Sequence, residues 1–136
     1  MPIERQSVII VLEDAAGRVA LQLRDDKPNI TDPNQWGLFG GWMELTEQPA
    51  AAGIREIHEE LGITIDGARL EYIGIQVMHP NSQTFVYRFR VNGELDNAVL
   101  SEGQTWRFVA ADEIALLAPP MARRHLDVLE WYWEQI

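Results

Sequence analysis

Three glutamates within five residues, Glu56, Glu59 and Glu60, are the part of this chain best equipped for chemistry. On a helix turning about 100° per residue they share one arc of about 100°, with Ile54, Ile57 and Leu61 on roughly the opposite side. The apolar stripe accounts for docking but leaves the acidic cluster unexplained. A solvated acidic face is the plain alternative, and two electrostatic effects count against it. Glu59 and Glu60 fall in the last turn of the expected helix, where the helix dipole disfavours an anion by about 0.3–1 kcal/mol. Carboxylates this close also repel one another, by up to about 4 kcal/mol per pair in a partly buried setting. Only Arg55, four residues before Glu59, offers local relief. Bound cations would neutralise such a cluster. Ligation by oxygen alone selects a hard ion, Mg²⁺, with Mn²⁺ as a substitute.

These residues need a helix to carry them and a sheet to hold the helix. Pro49 to Leu61 is the expected helix, with Pro49 acceptable in its first turn and Gly62 suited to a left-handed cap. Ser7-Val-Ile-Ile-Val-Leu12 is β-branched and apolar, as in a strand buried on both faces. Asp14 to Gly17 reads as a turn, and Val19 to Arg24 as a strand with Val19, Leu21 and Leu23 on one face. Residues 25–34 hold two prolines and several turn formers, hence a loop. Trp36 to Phe39 reads as a short strand running into Gly40-Gly41. Further strands are expected at about Leu70–Met78, Thr84–Val91 and Thr105–Val109. A short helix around Asp112–Leu117 precedes Pro119-Pro120, and a last helix runs from about Ala122 to Glu134. Strands mixed with helices imply an α/β fold, a sheet covered by helices.

The whole chain narrows the partners. Its 136 residues suit one domain, 1–136, large enough to bury a core without disulfides or a structural metal. With 21 acidic against 11 basic side chains the net charge is −10, which repels nucleic acid. A small phosphorylated substrate is compatible with that charge if a metal supplies local positive charge. Cysteine is absent, which removes thiol catalysis and thiolate metal sites. No apolar run is long enough to span a membrane and no leader pattern begins the chain, so a cytoplasmic protein is expected.

Gly41, five residues, Glu47, seven residues, then Arg55-Glu56-Ile57-His58-Glu59-Glu60-Leu61-Gly62-Ile63 resembles the Nudix box at each of its defining positions. The order of strand, loop, Trp36-Gly37-Leu38-Phe39-Gly40-Gly41 and box looks like the same family. This resemblance implies an α/β/α sandwich with a mixed β-sheet between helices. It also implies a hydrolase that cuts the diphosphate linkage of a small nucleotide-like substrate. Glu56, Glu59 and Glu60 would bind the metal, and Glu47, Arg55, Glu56 and Glu59 would form the catalytic set. Glu47 and Arg55 would brace loop and helix, Arg55 by pairing with carboxylates. Which carboxylate deprotonates the attacking water is left open. Thr46 stands where many members have glycine and could instead cap the helix.

Outside the box, Arg24 occupies the place of a phosphate-contacting arginine in similar enzymes, the alternative being a surface pair with Asp25 or Asp26. Glu102, in Ser101-Glu102-Gly103-Gln104, resembles a loop glutamate that supplies a fourth metal ligand in MutT-type enzymes; Glu94 and Asp96 are its rivals. His79, beside Pro80, could reach the substrate, whereas His58 lies on the helix flank and reads as structural. Trp36, Trp106 and the aromatic last helix read as packing before base stacking. Isomerases of isopentenyl diphosphate share the fold but rely on a cysteine this chain lacks. Non-catalytic members usually lose box glutamates, and none is lost here. The asparagine by which MutT-type enzymes recognise an oxidised guanine, near a Pro-Pro pair, has no counterpart after Pro119-Pro120. The substrate expected is therefore a nucleoside diphosphate joined to another group, with a nucleoside triphosphate as the second reading. A monomer and a homodimer are both compatible with the sequence.

Overall fold

Val8 to Leu12 are all buried, five consecutive side chains of an apolar run with no solvent face. Such a segment must be covered on both sides, and it becomes the middle of the sheet. The computed structural model describes residues 5–79 and 82–136, with only the backbone of His79. The strands are β1 (Arg5–Glu13), β2 (Val19–Leu23), β3 (Trp36–Gly37), β4 (Phe39–Trp42), β5 (Glu71–His79), β6 (Ser82–Arg90) and β7 (Thr105–Val109). The helices are α1 (Pro49–Leu61) and α2 (Arg123–Gln135). The strands lie in the order β3-β2-β1-β6-β5, with β4 also joined to β1 and β7 to β2. β1 and β6 run parallel and the other pairs antiparallel, so the sheet is mixed.

Alternation along β1 builds two cores. Val8, Ile10 and Leu12 join Phe39 and Phe89 under Ala52, Ile57 and Leu61 of α1. Ile9 and Val11 join Val19, Leu21 and Val86 under Val128, Leu129 and Tyr132 of α2. The arrangement is the expected α/β/α sandwich. Ile57 and Leu61 are fully buried, and each contributes about 1.5–3 kcal/mol by leaving water. Trp36 and the last helix pack into the core as expected, and Trp106 meets Phe108 edge to face. No helix among the described residues is long and apolar enough to cross a membrane.

Two local expectations need correction. The stretch Trp36 to Phe39 is not one strand: β3 pairs with β2 and β4 with β1, with a break at Leu38. The Leu38 amide donates to the side chain of His125 at 3.0 Å instead of to a strand, which frees the chain to change partners. Thr46 does not cap α1, because Gln48 is the N-cap and makes no side-chain cap bond. The short helix expected near Asp112 is present, as a 3-10 helix over Ala111–Leu116, with Glu113 accepting from the Ala110 amide at 2.8 Å.

Candidate active site

Gly41 leaves room for the acidic side of α1 beside β4: a Cβ there would lie 2.4 Å from the carboxyl carbon of Glu56, so a side chain at 41 would displace that carboxylate. The three helix glutamates are consequently not alike, contrary to a uniformly solvated arc. The side chain of Glu56 is 15% exposed and that of Glu59 is 56% exposed, while Glu60 is turned to the sheet. Gly62 ends the helix at φ +68°, where a side chain would be strained, and its N–H donates to the His58 carbonyl.

Arg55 is the hub of the acidic side. Its Nε and Nη2 donate to both oxygens of Glu47 at 2.7 and 2.8 Å. Nη1 donates to Glu56 at 2.9 Å and to Glu59 at 3.3 Å, and Nη2 also reaches the Trp42 carbonyl at 3.1 Å. The fork pairs with carboxylates as the resemblance implies, serving Glu47, Glu56 and Glu59 together with one carbonyl. Its hydrogen bonds, together with the Glu44 amide, hold the Glu47 carboxyl down to about 2. Loop and helix are clamped together by these contacts.

Among the described residues, Glu60 has no cation within hydrogen-bond reach. It accepts from Gln22 Nε2 at 3.0 Å and from the Gly40 amide at 3.2 Å. Burial, reinforced by the charge on Glu56, pushes its carboxyl up to about 8; burial likewise raises Glu56. A buried carboxylate without a counter-ion is what a cation would relieve. Glu60 also links stability to pH. Between about pH 4.5 and 8 the folded protein holds a proton on Glu60 that the unfolded chain releases, so stability falls as pH rises. Up to about pH 6.5 His125 opposes this trend, because burial holds its pKa down to about 4 and only the unfolded chain protonates it. Without metal, the protein is therefore expected to lose on the order of 2 kcal/mol between pH 6.5 and 8. Glu60→Gln should flatten that loss in chelator-containing thermal melts; an unchanged slope would remove Glu60 as its source.

The glutamates open on a cleft of about 590 Å³. It passes the start of β1, where Val8 and Ile9 point to opposite faces of the sheet, and reaches Leu38, Met78, Arg124 and His125 on the α2 side. Glu102 lines it as well. The loop before β7 is pinned to the end of α1: the Val99 amide donates to Leu61 O, the Ser101 amide to Glu60 O and the Ser101 hydroxyl to Glu59 O at 2.6 Å. Those carbonyls have no partner within the helix, and capping them from the loop carries Glu102 to the cleft. The rivals sit elsewhere, since Glu94 pairs with Arg69 and neither Glu94 nor Asp96 lines this cleft.

Arg24 also lines the cleft, and its Nε donates to the Thr31 carbonyl at 2.7 Å rather than to Asp25 or Asp26. Gln104 ties its strand to both ends of the 25–34 loop, donating to Arg24 O at 2.8 Å and to Asn34 Oδ1 at 2.9 Å. Glu56, Glu59, Glu60 and Glu102 thus share one cleft. Among the described residues, however, no three acidic or imidazole side chains converge tightly enough to cage an ion as they stand. The carboxylates are drawn apart by Arg55, Gln22 and the Gly40 amide. His58 is exposed on the outer flank of α1, and the His79 side chain and Pro80 lie outside the described residues. His125 is the cleft residue that the sequence reading missed; it stands in no motif, and only the packing of α2 against β3 brings it there.

The NUDIX domain family matches residues 4–132 of the chain. The chain belongs to this family. Human diphosphoinositol polyphosphate phosphohydrolase 3-alpha is 31% identical over 72% of this chain, and the mouse diphosphoinositol polyphosphate phosphohydrolase 2 is also 31% identical over 72%. The match spans 63% of the human relative and 57% of the mouse one, so roughly three fifths of their length is represented. Among solved structures, the MutT protein of Methanosarcina mazei Go1 superposes with a TM-score of 0.75 at 20% identity, covering 96% of this chain and 93% of that one. A bifunctional NMN adenylyltransferase/ADP ribose pyrophosphatase of Francisella tularensis also reaches 0.75 at 18% identity, covering 96% of this chain and 41% of its own. These two likenesses establish the fold.

Proposed function

We propose that the chain is a divalent-metal-dependent pyrophosphohydrolase that cleaves the diphosphate bond of a nucleoside diphosphate linked to another group, such as a sugar, ribose or second nucleotide. One observation carries the reading: Glu60, buried beside Glu56 without a cation, faces the same cleft as Arg24, a donor suited to a phosphate. The chemistry of this donor set fits a hard ion, and Glu56, Glu59, Glu60 and Glu102 would hold Mg²⁺. When bound, Mg²⁺ polarises the phosphorus–oxygen bond, stabilises the leaving phosphate and acidifies a water. Glu59, the most exposed of the helix glutamates, would accept the proton of the attacking water on a carboxylate oxygen. Arg24 contacts a phosphate oxygen, and Arg55 and Glu47 keep Glu56 and Glu59 in place.

The relatives named for diphosphoinositol polyphosphates suggest a second substrate class. The cleft is poorly charged for it: against Asp25, Glu56, Glu59, Glu60 and Glu102 it offers Arg24, Lys27 and Arg124. Lys27 lies 3.5 Å from Asp25, and Arg124 lies 2.5 Å from Asp32. A phosphate-crowded ring needs more uncommitted cations than these.

A hydrolysis screen with Mg²⁺, its products separated by anion-exchange chromatography, over ADP-ribose, UDP-glucose, a diadenosine polyphosphate, dGTP and a diphosphoinositol polyphosphate tests both readings. Turnover is expected with a nucleoside diphosphate conjugate, lost in excess EDTA and restored by Mg²⁺ or Mn²⁺. Full turnover in EDTA rejects metal dependence, and a preference for dGTP or the inositol compound rejects the substrate class. Glu102→Gln tests the fourth ligand: the Mg²⁺ activation midpoint should rise and kcat fall, with the metal-free melting temperature nearly unchanged. An unaltered metal titration would remove Glu102 from the ligand set.

A further inference from the structure

We infer that His125 is a specificity-determining residue that donates from Nε2 to an acceptor atom of a flat heteroaromatic base; this rests on the nucleotide reading above. The Leu38 amide donates to Nδ1 at 3.0 Å. A nitrogen that accepts carries a lone pair, so in the neutral ring the proton is on Nε2. The ring lies against the backbone of β3: a Cβ on Gly37 would come within 3.3 Å of Nδ1 and 3.4 Å of Cε1. Any side chain at 37 would push the ring away, so Gly37 and Leu38 together fix the plane and tautomer of His125.

The residue is 8% exposed, and what remains open borders the cleft. Among the described residues nothing accepts from Nε2, and this nitrogen is not sealed away without a partner. Burial, with Arg124 and Arg24 nearby, keeps the ring uncharged at neutral pH, so it offers a fixed donor and no charge.

Leu38, Met78 and Ile9 provide apolar walls at this end of the cleft, on the α2 face, whereas the glutamates stand on the α1 side. A diphosphate placed at the glutamates leaves the uncharged part of the substrate for the α2 end. Arg124 pairs with Asp32 at 2.5 Å and Arg24 serves the diphosphate itself, so a further phosphate finds little additional positive charge here. A polyol would bury hydroxyls without partners. A base buries two apolar faces and needs few polar contacts at its edge, which one well-placed donor can read.

The test uses binding in EDTA, which is independent of hydrolysis. AMP, GMP, CMP and UMP are titrated against ribose 5-phosphate by calorimetry, with the imidazole of His125 followed by ¹⁵N NMR in the wild-type protein. The expected result is an Nε2-protonated ring whose signal shifts with at least one nucleoside monophosphate and not with ribose 5-phosphate. His125→Ala should then bind that monophosphate about 10-fold more weakly, with ribose 5-phosphate unaffected, and His125→Gln should recover part of the loss through its amide donor. An Nδ1-protonated ring, an unmoved signal, or equal binding of all five probes overturns the proposal, and the NMR result stands even if a variant folds poorly. A hydrolysis screen that fails while His125 responds to a base would sink the hydrolase substrate reading and leave this one standing.

Discussion

Glu59→Gln is expected to lower kcat by at least about 10²-fold, the low end for loss of an acid–base or ligand role. Its fold should survive. Glu59 is half exposed, and among the described residues its carboxylate accepts only the two 3.3 Å bonds from Arg55, which keeps its stronger bonds to Glu47 and Glu56 without it. Removing an anion from the last turn also relieves repulsion with the helix dipole. Activity and melting temperature should thus separate: turnover collapses while the metal-free melt stays equal to or above that of the native chain. A near-native kcat would take Glu59 out of the catalytic set, and joint loss of turnover and stability would point to a structural role instead.

Arg55→Lys should be nearly as damaging for a different reason. A guanidinium spans both oxygens of Glu47 and still reaches Glu56, Glu59 and the Trp42 carbonyl, whereas an ammonium is a single point with three donors. The carboxylates would keep their charge but lose their positions, and a misplacement of about 1 Å can cost about 10²-fold in rate. The stability change has a definite sign with pH. Glu47 is held at about 2 by Arg55, so its contribution is present above about pH 4.5 and lost as pH falls toward 2. Melting temperatures of the native and Arg55→Lys proteins should differ at pH 7 and converge in acid. A constant difference across that range would mean that Glu47 is not the group Arg55 stabilises.

The sequence by itself determined the elements and the inventory of chemistry. A run apolar at every position, Val8 to Leu12, can only be a strand covered on both faces, and Pro49 to Leu61 is bounded by residues that start and stop helices. Glu47, Arg55, Glu56, Glu59 and Glu60 were legible because their spacing is local: a helix and a short loop bring them together whatever the rest of the chain does. Contacts across long separations could not be read this way. The tertiary structure decided that Glu60 is buried against Gln22 and Gly40 while Glu59 faces water, since that depends on how α1 lies beside β4, with Gly41 leaving it room. It also brought Glu102, and not Glu94 or Asp96, to the cleft, because the Val99–Ser101 segment caps the carbonyls at the end of α1. His125 entered the cleft only by the docking of α2 on β3, 87 residues from the Leu38 amide that orients it. Spacing along the chain encodes neighbours on one element; which buried polar group meets which partner across the sheet is settled when the cores pack and each backbone donor must be satisfied.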